Sequence, residues 1–528
     1  MAGVRLGLRC AAALLLAAQL SACASAPATR PAGTPVAQAP PVNGGTPVEI
    51  SAPPLSRTTR LGNVLEPASL AHTGLTGIYP LAHPQSAFAA RALLAGAADR
   101  TLDIQNYIWR ADETGYLLFE ALWQAAERGV QVRLLLDDNN TAGLDQTLVA
   151  LDTHPRIEVR LYNPMSYRRF RLLNFITDFN RANRRMHNKS FTVDGQATIL
   201  GGRNVGNEYF GEGEDVLFED LDVLAVGAAP PAVAKSFELY WNSPSAQPVK
   251  QLVKADADAA AKLLQRFEVT RNSERATAYL KSLHEDPLVR DLLDGKLPLT
   301  WSKAQFVVDH PSKTLGEGQE KEVLLLAEML PELGYPKRSF DLVSPYLVPG
   351  KQGTAELAAL VKHGVRVRIL TNSLAATDVA AVHAGYAKHR VELLRAGVQI
   401  YELRPAAGQQ RGSGFGGSSA SSLHAKTFSL DDSRLFVGSF NFDPRSAYLN
   451  TELGLIIDSP ELARQLGDVF DRVVPQAAYE VRLTPEGALQ WLERTESGLV
   501  VHDREPEATA TRLAMVFLLS LLPIEWML

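Results

Sequence analysis

His187-Asn188-Lys189-Ser190-Phe191-Thr192-Val193-Asp194 is followed, after six residues, by Gly201-Gly202-Arg203-Asn204. Far along the same 528-residue chain, His424-Ala425-Lys426-Thr427-Phe428-Ser429-Leu430-Asp431 is followed, after the same six, by Gly438-Ser439-Phe440-Asn441. Both read His-x-Lys-x4-Asp-x6-Gly-[Gly/Ser]-x-Asn. At ordinary residue frequencies one such pattern arises by chance in roughly one chain in ten thousand of this length. Two copies therefore mark a duplication. In each copy Phe191, Val193, Phe428 and Leu430 alternate with Ser190, Thr192 and Ser429, as a half-buried strand should. The same alternation points the His and Lys of each copy the same way.

The repeat extends outward from the motifs. Ala125–Leu136 aligns with Leu360–Leu370 at an offset of about 235–241 residues. Each is an amphipathic helix closed by a glycine, Gly129 or Gly364, that runs into an apolar strand. Further strands precede them, Leu102–Trp109 and Phe340–Val348. Others follow, Val159–Asn163 and Val398–Leu403, each running into a proline. Such strand–helix–strand repeats predict an α/β fold in two copies, with a largely parallel sheet covered by helices on both faces. The expected domains are 61–244 and 321–490, joined by a helical bridge over 245–320 that includes Asp256–Phe267 and Glu274–Leu283. Gly408–Ser422 reads as a mobile Gly/Ser loop, either a substrate-entry flap or a plain surface insertion. The tail, 491–528, holds a short apolar helix, Leu513–Leu522, too short to span a bilayer and destined to pack on the body or lie in an interface.

Composition narrows the class. With 46% hydrophobic and 21% charged residues the chain is neither disordered nor polytopic. Its net charge of -5 argues against a protein that wraps nucleic acid, and none is expected as a partner. The two cysteines, Cys10 and Cys23, lie at the N-terminus, so the body can hold neither a disulfide framework nor a Cys-based metal site. Residues 1–22 carry Arg5 and Arg9 ahead of an apolar run, the pattern of a secretory signal. The run ends Leu20-Ser21-Ala22-Cys23, which resembles the lipobox of bacterial lipoproteins; the plainer alternative is an ordinary signal with an incidental cysteine. The resemblance implies a lipidated Cys23, and Ala24 in place of Asp implies the outer membrane. Residues 23–60 then form an Ala/Pro-rich tether, which as a loose coil would separate its ends by roughly 30 Å.

Two imidazoles, two ammonium groups and two amides gathered at one point suit a phosphodiester, whose transition-state charge needs several fixed donors. One imidazole can attack phosphorus while the other protonates the leaving alkoxide. A metal site would want His or carboxylate where Lys stands, and no nucleophile elbow is present for a serine hydrolase. No cofactor is called for.

These residues resemble the phospholipase D superfamily over roughly residues 75–490, whose signature is this duplicated motif. The resemblance implies two tandem α/β/α sandwich domains forming a pseudo-dimer, with one active site at their interface and no oligomer required. It implies that His187 and His424 are nucleophile and general acid/base, His187 being the expected nucleophile. Lys189, Lys426, Asn204 and Asn441 would hold the phosphate, and Asp194 and Asp431 would support the site structurally. It also places an acid on a following strand to orient each histidine: Glu452 in copy two and Asp220, with Asp222 as rival, in copy one. Gly202 replaces Ser439 in copy one and removes one hydroxyl.

Leu102–Trp109, Arg184–Lys189, Gly201–Phe210, Ser439–Ser446 and Leu521–Trp526 are similar to the cardiolipin synthase branch. That implies phosphatidyl transfer between phospholipids at a membrane surface, the chain being held there by its lipid anchor and facing the periplasm. The alternative is a hydrolytic phospholipase D or other phosphodiesterase. Arg168, Arg169, Arg171, Arg181, Arg184 and Arg185, interleaved with Phe170, Phe175 and Phe179, read as a lipid-headgroup cluster. The same pattern would serve single-stranded nucleic acid or a solvated basic helix.

Overall fold

A computed structural model describes residues 59–211, 220–274, 276–277, 280–281, 286–316, 324–405 and 423–528. The leader, Cys23, the tether up to residue 58 and the Gly408–Ser422 loop lie outside the described residues. In the first copy the strands are β1 (Thr76–Leu81), β2 (Thr101–Asn106), β3 (Gln131–Asp137), β4 (Ile157–Tyr162), β5 (Ser190–Val193), β6 (Ala197–Gly201) and β7 (Asp222–Gly227). Short strands β8 (Ala246–Pro248) and β9 (Thr300–Ser302) close the two edges of that sheet. The second sheet holds β10 (Ala304–Val308), β11 (Ser339–Val343), β12 (Arg366–Asn372), β13 (Gln399–Leu403), β14 (Thr427–Leu430), β15 (Arg434–Gly438) and β16 (Leu453–Ile457). Strands β17 (Ala478–Leu483), β18 (Leu489–Thr495) and β19 (Gly498–His502) extend its β13 edge.

The order β4-β3-β2-β5-β6-β7-β1 recurs as β13-β12-β11-β14-β15-β16-β10, so the duplication is complete at the level of topology. The sheets are mixed, which corrects the expectation of largely parallel ones. β2, β3 and β4 are parallel, as are β11, β12 and β13. Their crossovers are long enough to carry helices, such as Glu113–Glu127 and Gly350–Lys362. The motif strands instead turn back within three residues, Asp194–Gln196 and Asp431–Ser433, and a turn that tight makes β5–β6 and β14–β15 antiparallel.

The two lobes are sealed to one another. Ile78, Leu200, Val223 and Val233 from the first share a buried cluster with Leu435, Val437, Leu455 and Ile457 from the second. The seam joins equivalent strands, so the residues leading into the motif strands β5 and β14 meet the opposite lobe. Residues 245–320 hold the helices Ala259–Arg271 and Leu288–Leu293, and also β8, β9 and β10, which carry the chain from the edge of one sheet to the other. The C-terminal helix, Ala510–Ser520, is pinned by Arg512, which donates to the carbonyls of Leu374, Ala375 and Thr377. It still leaves Phe517, Leu518 and Leu521 more than 60% exposed. No helix of the described residues is long and apolar enough to cross a membrane.

Candidate active site

Regular strand begins at Ser190 and Thr427, so the His and Lys of each motif occupy the extended lead-in and not the strand itself. The lead-in is held by the other lobe. Met186 bridges Thr451 in parallel, with His187 N donating to Thr451 O and Thr451 N to Arg185 O, both at 2.9 Å. Glu452 is the next residue, and it meets His187 across the seam: Nδ1 lies 2.8 Å from Glu452 Oε2. His424 Nδ1 lies 2.5 Å from Asp220 Oδ2, again across the seam. Position in the sequence would pair each acid with the histidine of its own copy; the fold exchanges them. Asp222 is not the partner of either. It is fully buried in an ion cluster with Arg91 at 2.8 Å and Arg203 at 3.5 Å.

All of this is buried. His187, Lys189, Asn204, His424, Lys426 and Asn441 are each at most 6% exposed. Lys189 donates to the carbonyl of His187 at 2.6 Å, and Lys426 to that of His424. Asn204 Oδ1 accepts from Ile108 N at 3.1 Å, leaving its Nδ2 without a hydrogen-bond partner; Asn441 Oδ1 also has none. A buried amide end without a partner costs about 1–3 kcal/mol unless a ligand meets it: the Asn204 N–H suits an anion, and the Asn441 oxygen suits a hydroxyl donor.

Each motif's charges act on the other's. Burial, then Lys189 and Lys426, hold the His187 imidazole well below its ordinary range. Burial and Lys426 push His424 down to about 3, against the pull of Asp220. Burial also lowers Lys189 to about 7 and Lys426 to about 8, each ammonium feeling acids from both lobes. The two acids diverge. Burial pushes Asp220 up, but the His424 contact, Lys426 and Arg203 outweigh it and hold the carboxyl well below the usual range. Burial pushes Glu452 up to about 7, against Lys189 and the Ser439 hydroxyl, which donates to Oε2 at 2.5 Å. An acid at Nδ1 of each ring fixes its orientation and directs Nε2 at the reacting phosphorus or oxygen.

Asp194 and Asp431 sit at the other end of their strands, about 20 Å from the histidines at the usual rise of a strand. Each lies at a positive φ, 52° and 55°, a conformation short polar residues tolerate. Asp194 Oδ1 accepts from Arg100 N and Thr101 N and its Oδ2 from Asp99 N; Asp431 Oδ1 accepts from Lys337 N, Arg338 N and Ser339 N. The aspartates thus clamp the start of β2 and β11 in register beside the motif strands. Gly202 has a steric reason as well: a Cβ there would meet Asp220 Oδ1 at 2.1 Å. The space Ser439 uses in copy two is filled in copy one by the acid itself.

Sequence reading missed Tyr107 and Tyr209, whose rings stand edge-on to His187 and His424 at 4.8 and 5.3 Å. Both fall in stretches that carry the family resemblance, but neither belongs to the motif. Arg445 was missed too. It donates to Asn183 Oδ1 at 2.7 Å and Met527 O at 2.6 Å, tying the chain just before His187 to the C-terminus. Four of the six arginines expected as a headgroup cluster before His187 are neutralised by acids, while, among the described residues, Arg169 and Arg184 are not. Arg168 pairs with Asp138 and Asp145, Arg171 with Asp138, Arg181 with Asp178 and buried Arg185 with Asp137. Outward the segment offers exposed Arg169, lying over the Phe170 ring, beside apolar Phe170, Leu172 and Ile176, which are 65–80% exposed.

A model of the cardiolipin synthase, phospholipase D-like domain family matches residues 92–229 and 329–474, one match in each lobe. Cardiolipin synthase C of Escherichia coli (strain K12) is 47% identical over 473 residues, spanning 89% of this chain and 100% of the relative. Cardiolipin synthase B of the same strain is 23% identical over 407 residues, spanning 77% and 82%. Among solved structures, phosphatidylserine synthase from Haemophilus influenzae Rd KW20 matches with a TM-score of 0.53 at 14% identity, covering 88% of this chain and 100% of that one; this is a likeness of fold. A duplicated motif on two matching lobes, with full-length similarity to cardiolipin synthase C, places the chain in the cardiolipin synthase family of the phospholipase D superfamily.

Proposed function

We propose that the protein is a phosphatidyltransferase that makes cardiolipin by exchanging one phosphodiester for another between phospholipids. The observation that carries this reading is the crossed pair His187–Glu452 and His424–Asp220 in a centre that also buries two lysines and two asparagines. His187 Nε2 attacks phosphorus while the bond to the departing headgroup alcohol breaks, and that oxygen takes a proton from His424. The acceptor hydroxyl then returns a proton to His424 as its oxygen displaces His187. Ionised Asp220 favours the imidazolium that His424 must become, and a bound phosphodiester adds a further negative charge beside it. Glu452, pushed up to about 7, stabilises an imidazolium at His187 less than ionised Asp220 does at His424, which favours His187 as the nucleophile. Exchange of like bonds needs no nucleotide-activated donor.

The chain meets the bilayer, in this reading, by a lipid on Cys23 and by two apolar segments. Phe170, Leu172 and Ile176 come from one lobe, Phe517, Leu521 and Trp526 from the C-terminus, and Phe179 and Trp526 touch where the segments meet, with ring centroids 6.4 Å apart. Ala24 after the lipidated cysteine fits the outer membrane, with the body in the periplasm. One chain supplies both motifs, so a monomer suffices. Incubation with labelled phosphatidylglycerol and phosphatidylethanolamine tests the activity: cardiolipin is expected, and phosphatidic acid alone would make the enzyme a hydrolase. Normal maturation and membrane fractionation of Cys23→Ser would refute the anchor.

A further inference from the structure

The two lobes share a topology but not an interior. In the second, between the helices Leu325–Leu333 and Gly350–Lys362 and the sheet beneath them, lies a cavity of about 410 Å³. Its walls are apolar, with Met329, Leu333, Phe340, Leu357, Phe440 and Phe442 among them. At the corresponding place in the first lobe, Phe191, Arg203 and Val205 stand where Phe428, Phe440 and Phe442 stand in the second, and the space is about 10 Å³. Arg91, Arg203 and Asp222 fill it with a buried ion cluster. The fold therefore closes without such a cavity, and the second lobe keeps one.

The cavity lies against the wall of the site at one end, where Phe440, Phe442 and Asp443 line it, and opens on solvent at the other. Phe440 and Phe442 flank Asn441 directly, and buried Asp443, which also lines the wall, acts on the charge of Lys426. Val348 lines the cavity and lies within reach of Leu528, so the C-terminal segment runs alongside. At the rim Tyr335, Leu330 and Tyr448 are 57–79% exposed. Tyrosines at the mouth of an apolar slot match a boundary where one side is wet and the other is hydrocarbon. We propose that this cavity is a fatty-acyl subsite, which takes one chain of the phosphatidyl group while its phosphate sits between His187 and His424. The inference rests on the proposed lipid substrate. It adds that the donor is selected by its tail as well as its headgroup, and that only the second lobe does so.

Two fillings from independent elements test it in the full chain. Gly353→Phe works from the longer helix, where a Cβ already points at Phe442 Cε1 at 3.3 Å. Met329→Trp works from the shorter one. With the acceptor held constant, kcat/KM is measured for dipalmitoyl and for dihexanoyl phosphatidylglycerol as donors. Both variants should lose at least tenfold on the long-chain donor and stay within about twofold on the short one, since each buried methylene is worth several-fold in affinity. An unchanged ratio of the two donors in both variants would overturn the subsite, and so would an equal fall on both. A second readout is independent of turnover: cis-parinaric acid should bind the wild type at one site with a rise in fluorescence, and Gly353→Phe should abolish it. No binding to the wild type would mean that the slot is filled by the chain itself and would also overturn the proposal. Binding without phosphatidyl transfer from either donor would instead count against the proposed activity and leave the subsite standing.

Discussion

Glu452→Gln and Asp220→Asn make the same change at the two histidines, and the structure predicts unlike results. Glu452 is fully buried and is pushed from 4.5 up to about 7, so near neutral pH its charged form is already disfavoured. An acid whose folded pKa lies above its unfolded one gives stability that is complete below the unfolded value and is lost as pH rises through the folded value. The rise from 4.5 to about 7, at ~1.4 kcal/mol per pH unit, sets an upper bound of ~4 kcal/mol for what ionised Glu452 costs the fold at pH 8. The amide escapes that cost but weakens the bonds with His187 and Ser439, worth about 1–2 kcal/mol together. Stability of Glu452→Gln at pH 8 should therefore be unchanged or slightly higher. Asp220 is the reverse. Its carboxylate is held ionised by His424, Lys426 and Arg203, and removing one partner of a buried ion pair costs about 3–5 kcal/mol. Both changes should lower kcat by about 10²–10⁴-fold, since each removes the group that orients a catalytic imidazole. Initial rates and thermal melting at pH 8 decide the matter. Equal losses of melting temperature, or wild-type kcat in either variant, would refute the crossed pairing and its electrostatics.

Other expectations follow from the same geometry. Sulfate, whose charge is fixed over this range, should inhibit less well as pH rises from 7 to 9, because Lys189 and Lys426 lose their protons near 7 and 8; a flat inhibition constant would contradict that. Gly202→Ser should cost at least tenfold in activity because its Cβ would fall 2.1 Å from Asp220 Oδ1, while Ser439→Ala, which removes one hydroxyl, should be milder. Asp431→Ala removes the acceptor of three backbone N–H groups and should cost about 1–3 kcal/mol of stability. Its kcat in the folded state should stay near wild type, as chemical denaturation and cold-assayed kinetics can show.

The motif was legible because its chemistry recurs in matching order, and His187, Lys189, Asn204, His424, Lys426 and Asn441 all converge as that recurrence implies. The mixed sheet was legible only in part: apolar runs mark strands, but direction depends on connection length, and the three-residue turns at Asp194 and Asp431 decide it. The partner of each acid was not legible at all. Glu452 reaches His187 because Thr451 pairs with Arg185 and Met186 of the other lobe, a contact with no trace in local pattern. The arginine run was legible only in part, because Asp137, Asp138 and Asp145, which neutralise Arg168, Arg171 and Arg185, lie on another segment brought there by the fold. Leu513–Leu522 shows the same limit, since whether an apolar helix packs or faces outward depends on what is left to cover it.

The proposed exchange passes through a covalent phosphatidyl-enzyme at His187. The direct measurement is to offer a labelled phosphatidyl donor with a leaving group good enough to depart without an acid, then to map the label by peptide analysis. His424→Ala should accumulate label on the peptide containing His187, and His187→Ala should accumulate none. Label found on His424 in the His187→Ala protein, or no covalent species in either variant or the wild type, would contradict it.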